Sequence, residues 1–327
     1  MRNYSNPKLK LLYLKQFFEE ETDEDHPATM PQILAYLEAK GIHAERKSIY
    51  ADLDYLADYG MDVRKDDRGK SYQWFDRTFE QAELKLIIDS VASCKFLSES
   101  KCNALIKKIG NLGSEHQRRE LNRQVKVMGR VKSTNIGILN NVDAIHAAIS
   151  KGKTITFKYF HYNSRKEREY RHDGALYEIS PWALVYDNNF YYLIGYTNND
   201  ERRTYRVDRM ANVEQTAKDR KGAEAFEKFD MAAYTKETFG MFGNDAQEVE
   251  MVFHNSMMDA VLDKFGKDVW VVVVDKEHFK VSVSVAVSPQ FFAWVFGLED
   301  LVTIISPENV VKQMKDMLER VSEKYGK

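Results

Sequence analysis

Two adjoining stretches constrain this chain more than any others: NNFYYLIGY (188–196) and RRTYRVDRM (202–210), joined by the polar TNND. The first reads as a strand with three consecutive aromatics. The second places four arginines within eight residues directly behind it. On a strand, Arg203, Tyr205, Val207 and Arg209 point one way and Thr204, Arg206 and Asp208 the other. A core makes no use of such a pattern, because an isolated buried charge costs many kcal/mol. These guanidiniums must therefore meet solvent, acidic partners or an anion. Arginine forks match phosphate bidentately and tyrosine faces stack bases.

The surroundings extend the β reading. NNVDAIHAAISKGK (140–153) is a short amphipathic helix. TITFKYFHYN then alternates, with Ile155, Phe157, Tyr159 and His161 on one side and Thr156, Lys158 and Phe160 on the other. A turn-rich segment and a Pro181-containing strand follow. Several short strands behind a small helix suggest a small antiparallel barrel of SH3 type.

The order helix, ITFKY, ISPWALVYDNNFYYLIGY, RRTYRVDRM resembles the WYL domain, an Sm/SH3-like barrel of bacterial transcription factors. The name-giving tripeptide falls on Tyr191-Tyr192-Leu193, with tyrosine in place of the usual tryptophan. The resemblance implies a sensor for nucleotides or short nucleic acids, in a setting often linked to phage defence or DNA damage. The candidate lining is Tyr159, His161, Arg171, Tyr191, Arg203, Arg206 and Arg209. Plainer roles stay open: Tyr191 as core, Arg206 in an ion pair near Asp208, His161 as a bystander.

Upstream, NPKLKLLYLKQFF (6–18) has Leu9, Leu12 and Phe17 near helical spacing. Pro31 opens a second helix that Gly41 closes. In ERKSIYADLDYLADYG (45–60), Ile49, Leu53 and Leu56 form one buried stripe, and Lys47, Tyr50, Ala51 and Asp54 a second face. MDVRKDDRGKSYQWF reads as strand, turn, strand. Three helices and a hairpin are the layout of a winged helix-turn-helix. ERKSIYADLDYL resembles the recognition helix of DeoR-like regulators, with Arg46, Lys47, Ser48 and Tyr50 at its leading turn as DNA contacts. Arg64, Lys65, Arg68 and Lys70 would be wing contacts to phosphate. Winged helices also grip proteins, so an adaptor is the alternative.

Charge separates the chain further. Residues 1–76 carry 11 basic and 15 acidic residues, 77–221 carry 26 and 17, and 222–327 carry 11 and 18. The basic middle, including RRELNRQVKVMGRVK (118–132), suits an anionic partner. A net-acidic head needs doubled phosphate contacts, so pairing of two chains is expected, with 79–137 as a helical bridge. The last third reads strand, helix, two long strands joined at DKEH, helix, strand, helix, resembling a ferredoxin-like module suited to dimerisation. VWVVVV and KVSVSVAV within it would aggregate unless covered.

The expected architecture is thus α+β and multidomain: winged helix-turn-helix 1–78, bridge 79–137, WYL barrel 138–215, linker 216–247, ferredoxin-like extension 248–327. The expected function is a homodimeric repressor on operator DNA, responsive to a nucleotide or oligonucleotide. Cys94 and Cys102 are too isolated for a metal site and read as packing residues. No apolar run approaches membrane-span length and no signal peptide is visible, which points to the cytoplasm. Phosphate-loop, HExxH and GxSxG motifs are missing from the sequence, so neither enzyme activity nor a cofactor is expected.

Overall fold

The computed structural model describes residues 7–66, 69–124, 132, 137–241 and 246–326. Arg68, and Lys126 and Arg130 of the basic run, lie outside the described residues. The chain divides into two compact units, Met1–Ile138 and Leu139–Lys327.

The first unit begins with α1 (Pro7–Glu21), β1 (Ala28–Thr29), α2 (Met30–Ala39) and α3 (Arg46–Asp58), followed by a hairpin of β2 (Val63–Lys65) and β3 (Ser71–Trp74). β3 pairs with both β1 and β2, giving a small antiparallel sheet in the order β1-β3-β2. α2 starts where Gln32 reaches back to the Thr29 backbone at 2.8 Å, with Pro31 in its first turn. It stops at Gly41, whose φ of 77° suits glycine. Ile49, Leu53 and Leu56 of α3 are all buried, as their spacing requires.

The apolar stripe of α1 differs from the expected one. Leu14, Phe17 and Phe18 are buried with Leu11 packed beside them, while Leu9 and Leu12 face outward. Two leucine registers overlap in this helix, and docking on α3 selects one. Lys10 and Asp52 meet across that contact at 2.7 Å, an electrostatic contact with poor hydrogen-bond alignment.

Three more helices complete the unit: α4 (Gln81–Ser93), α5 (Glu99–Gly110) and α6 (Glu115–Gln124). Leu84, Ile88, Ala92, Ile106 and Leu121 form their core. Ser98 caps α5 by accepting from the Lys101 backbone. The Arg77 guanidinium donates to the backbone oxygens of Phe18, Glu19 and Thr22, satisfying the open end of α1. The Ser114 hydroxyl donates to the buried Asp23 carboxylate, and the His26 and His116 rings stack at 3.8 Å. The bridge is therefore fastened to the head within one unit. Cys94 and Cys102 are both free thiols; Cys102 is buried, and Lys132 Nζ lies 3.4 Å from its sulfur.

The second unit opens with α7 (Ile138–Ser150), then β4 (Lys153–Tyr162), β5 (Arg168–Tyr170), β6 (Tyr177–Asp187), β7 (Phe190–Tyr196), β8 (Arg202–Arg206) and β9 (Met210–Asp219). These strands form one curled antiparallel sheet in the order β5-β4-β6-β7-β8, and β9 returns to pair with β4. Asn188 and Asn189, both at positive φ, make the two-residue turn between β6 and β7. β9 runs to Asp219, so the expected linker at 216–247 begins inside a strand. The rest of that segment carries α8 (Ala223–Glu227) and α9 (Met231–Glu237). Tyr234 and Met241 are buried against Tyr192 and Ile194, so this stretch packs on the sheet.

Beyond it lie β10 (Gln247–His254), α10 (Met258–Phe265), β11 (Val271–Val273), β12 (His278–Val285), α11 (Pro289–Phe296), β13 (Val302–Ser306) and α12 (Glu308–Tyr325). The sheet order is β11-β12-β10-β13, every neighbouring pair antiparallel. Its helix-covered face buries Phe253, Phe279, Val281 and Phe291. VWVVVV, expected as a long strand, pairs over only three residues. Among the described residues no helix is long and apolar enough to cross a membrane, and no His/Cys/Asp/Glu group could hold a metal ion.

Among the described glycines, the closest approach is at Gly195 of the curled sheet. A Cβ there would lie 2.5 Å from Ile179 Cγ2 and 2.7 Å from the Ser180 carbonyl oxygen. Gly195→Ala is expected to lower stability by about 1–3 kcal/mol, read from urea denaturation; unchanged stability would show that the strand pair yields freely.

Candidate functional site

Each unit carries one candidate site. In the first, the leading turn of α3 and the β2–β3 hairpin meet through tyrosines. Arg46 Nε donates to the Tyr50 hydroxyl at 2.9 Å, and Tyr50 in turn hydrogen-bonds Tyr72 of β3. Tyr72 is buried, and burial followed by its bond to Tyr50 pushes its phenol up to about 12. The Arg46 hydrogen bond, by contrast, draws the Tyr50 phenol below its ordinary value. Lys65 Nζ sits 5.9 Å from the Tyr72 ring centre, on the same assembly.

The other expected contacts are placed differently. Lys47 is fully on the surface. The Ser48 hydroxyl donates to the Glu45 carbonyl at 2.9 Å, which commits its proton to the helix start. Arg64 pairs with Asp62 at 2.8 Å and lies over the Phe75 ring. The Lys70 backbone closes the hairpin turn onto Asp66. Further along α3 the open face changes character: Asp54 and Asp58 alternate with exposed Tyr55 and Tyr59. Only the first turn is electropositive. A separate cavity of about 360 Å³ in this unit, lined by Asp23, Glu24, Asp25, Asp76 and Glu80 beside Arg77, is acidic and offers little to a phosphate.

In the second unit four aromatic rings converge. Tyr159 lies 6.0 Å from Tyr177 and 5.4 Å from Tyr205, and those two lie 5.7 Å apart. Phe157 sits beneath, 5.4 Å from Tyr177 and 5.2 Å from Tyr205. β4 supplies Phe157 and Tyr159, the start of β6 supplies Tyr177, and β8 supplies Tyr205. Burial raises the phenols of Tyr159 and Tyr177 and pushes Tyr205 up to about 12. At the rim, the Arg171 guanidinium stands 5.7 Å from the Tyr159 ring and His172 lies 5.6 Å from Tyr177. That rim is a turn, Arg171–Gly174, in which His172, Asp173 and Gly174 all have positive φ. Two non-glycine residues in this region cost about 1–3 kcal/mol each, a strain that clusters at functional sites.

The arginine-rich run meets its acids internally. Arg206 donates to both carboxylate oxygens of Asp208, at 3.0 and 2.9 Å, and lies 3.7 Å from the Phe190 ring centre. Burial opposes its charge, but the Asp208 carboxylate more than offsets this and holds its pKa above the ordinary arginine value. Its backbone N–H donates to the Tyr159 hydroxyl at 3.2 Å, fastening β8 to the aromatic group. Arg209 Nε is 3.7 Å from Asp208, with the guanidinium over the Tyr162 ring. Arg203 pairs with Glu201 at 2.5 Å and is well exposed. The expected strand alternation through Arg209 ends at Arg206, where a short 3-10 turn, Val207–Arg209, buries Val207 completely.

Of the expected ligand residues, the fold brings Tyr159, Arg171 and Arg206 together. His161 stays on the surface, 3.9 Å from Glu169. Tyr191 packs on Tyr186 at 5.1 Å, on the strand face opposite Tyr192. Tyr177 and Tyr205 were not singled out as lining. With 18 tyrosines in the chain, only strand pairing distinguishes them.

This stretch can be compared with known proteins. Residues 140–215 match the WYL domain. The match runs from within α7 to within β9 and includes Phe157, Tyr159, Tyr177 and Tyr205. Among solved structures, the chain is similar to proteasome accessory factor B/C of Arthrobacter aurescens, at 15% identity and a TM-score of 0.30, covering 98% of this chain and 49% of that one. It thus spans about half the length of that protein. It is also similar to a structure described as a CRISPR Cas-related protein, at 11% identity and a TM-score of 0.38, covering 99% and 92%. Similarity at this level carries no weight for function. No curated protein matches the sequence.

The raised tyrosines give a pH test. A phenol that holds its proton more tightly when folded contributes stability in full below about 10, its ordinary value, and loses it as pH rises through about 12. Tyr205→Phe should therefore shrink the alkaline loss of stability between those limits and remove late-titrating phenol absorbance. Absorbance lost near pH 10 instead would place Tyr205 in water.

Proposed function

We propose that this chain is a ligand-responsive transcriptional regulator acting as a repressor. In this reading the N-terminal α1–β3 segment is a winged helix-turn-helix, the curled sheet is an SH3/Sm-like sensor barrel, and β10–β13 form a ferredoxin-like extension. The head docks on operator DNA in the cytoplasm as part of a homodimer, and a nucleotide or short oligonucleotide at the barrel releases it. No catalytic step is assigned to it.

The observation that carries the DNA reading is the Arg46–Tyr50–Tyr72 link with Lys65 above it. It joins a helix N-terminus to a hairpin and presents both as one basic, solvent-facing edge. Backbone N–H groups at such a terminus favour phosphate, and positioned basic groups fix register. The acidic second half of α3 restricts approach to the first turn. Pairing of two heads doubles the phosphate contacts that one acid-rich head supplies poorly.

For the barrel, the supporting feature is a tyrosine group with Arg171 at its rim. Arg171 has a ring contact and no carboxylate within ion-pair distance among the described residues. A base stacked on Tyr177 or Tyr159 with its phosphate on Arg171 fits this arrangement. Arg206, Arg203 and Arg209 act in this reading as supports held by Asp208 and Glu201.

A band-shift assay with DNA from the protein's own promoter region tests the proposal. A sequence-specific complex that weakens steeply with salt is expected. Arg46→Ala with Lys47→Ala should cost about tenfold or more in affinity and lower the salt slope by about 1–2. No complex with the intact chain overturns the reading; intact function in the double variant would favour a protein-binding adaptor. Short oligonucleotides should release the DNA, and Tyr177→Ala should weaken that effect by about 1–3 kcal/mol.

A further inference from the structure

α8 has five residues and α9 seven, too few to persist as helices in water alone. They are held by docking, first on the curled sheet. Phe226 stacks on Trp182 at 4.8 Å, and the Arg202 guanidinium lies 4.7 Å from the Phe229 ring and 5.0 Å from the Tyr234 ring. The Tyr234 hydroxyl meets the Thr204 hydroxyl at 3.1 Å, and its ring is buried against Tyr192 and Ile194. The other end belongs to the extension. The Glu237 carbonyl accepts from the Ala286 N–H at 2.9 Å, just past β12. The Thr238 carbonyl accepts from Lys264 Nζ at 3.3 Å, and Phe239 is buried 5.4 Å from Phe291.

β8 carries the first anchor. Among the described residues it pairs with β7 alone, which makes it an edge of the sheet. Arg202 and Thr204 turn one face of the strand to α9, and Tyr205 turns the opposite face to Tyr159 and Tyr177. One strand thus separates the ring group from the helix that ties the sheet to the extension.

We propose that residues 223–241 form a strap with a docked and a released state, and that β8 couples its docking to the tyrosine group. A base stacked against Tyr205 pushes on a strand that has a neighbour on one side only. Loss of the Thr204–Tyr234 contact then frees α9, and a seven-residue helix does not outlive its anchor. The Glu237–Ala286 bond at the far end is lost in the same step, so occupancy at the rings is felt in the extension. This inference deepens the sensing part of the proposed function and rests on it for the ligand. The strap itself is independent of ligand identity and of DNA binding.

Hydrogen–deuterium exchange of the full chain, resolved to single amides by electron-transfer fragmentation, tests it, with thermal melts to confirm folding. Tyr234→Phe removes only the hydroxyl and should speed exchange in α9 and at Ala286 about fivefold, with β10 unchanged. Tyr205→Ala, on the other face of β8, should do the same; Tyr205→Leu carries this arm where the alanine variant melts early. Tyr177→Ala, from β6, should leave α9 as it is. Exchange in the Tyr234→Phe variant that is unchanged, or faster in α9 without Ala286, overturns the strap. An α9 indifferent to both Tyr205 variants, or equally sensitive to Tyr177→Ala, overturns β8 as the coupling strand. Oligothymidylate added to wild type should reproduce the Tyr234→Phe pattern. Its binding, read by fluorescence anisotropy, without change at Ala286 overturns the route from ligand to extension. Failure to bind overturns the oligonucleotide-sensing reading alone, since the variants decide the strap without ligand.

Discussion

The pairing of Arg206 with Asp208 sits at the turn between β8 and β9 of the curled sheet. A half-buried guanidinium is costly without a partner, and the carboxylate two residues on accepts both of its forks. Asp208 lies in the turn Val207–Arg209, where the chain leaves the strand at Arg206 and buries Val207. That turn aims β9 back at β4. The same arginine's backbone holds the Tyr159 hydroxyl. The ion pair, the end of the strand and the anchor of the Tyr159 ring thus meet at one residue, Arg206.

This arrangement divides the arginines by role. Those of the 202–209 run are committed to neighbours: Arg206 and Arg209 around Asp208, Arg203 with Glu201, and Arg202 over the rings of Phe229 and Tyr234. Arg171, from a strained turn on a different part of the sheet, is the cation left beside the tyrosines. The scaffold charges are thus paired within the sheet, and the tyrosine group is left with one neighbouring guanidinium in place of a dense basic cluster.

A similar economy appears in the head. Among its described residues, Lys10 meets Asp52, Asp23 meets Ser114 and His26, and Arg77 meets three backbone oxygens, although Arg77 Nε itself has no hydrogen-bond partner. What remains on the surface is a narrow basic edge at the start of α3 and on the hairpin. The module is acidic overall, and acids reach this edge as well: Glu45 caps α3, Asp62 pairs with Arg64 and Asp66 closes the hairpin turn.

Local pattern was sufficient for much of this. The stripe Ile49–Leu53–Leu56, the hairpin around Asp66 and the helix start at Pro31 follow from spacing and turn chemistry, which act within a few residues. The order of elements in the last third was equally readable. Three things were decided only by the tertiary structure. Which leucines of α1 are buried depends on α3, since two registers offer similar apolar area. Which tyrosines form the ring group depends on β4, β6 and β8 meeting, a long-range pairing that no local period encodes. Whether the arginines serve a guest or the scaffold depends on where the chain turns after Arg206, because charge alone does not say which carboxylate will lie within 3 Å. Sequence by itself determined the charges and most of the strands and helices, because their patterns are local; only their meeting in space determined which charges were already spoken for.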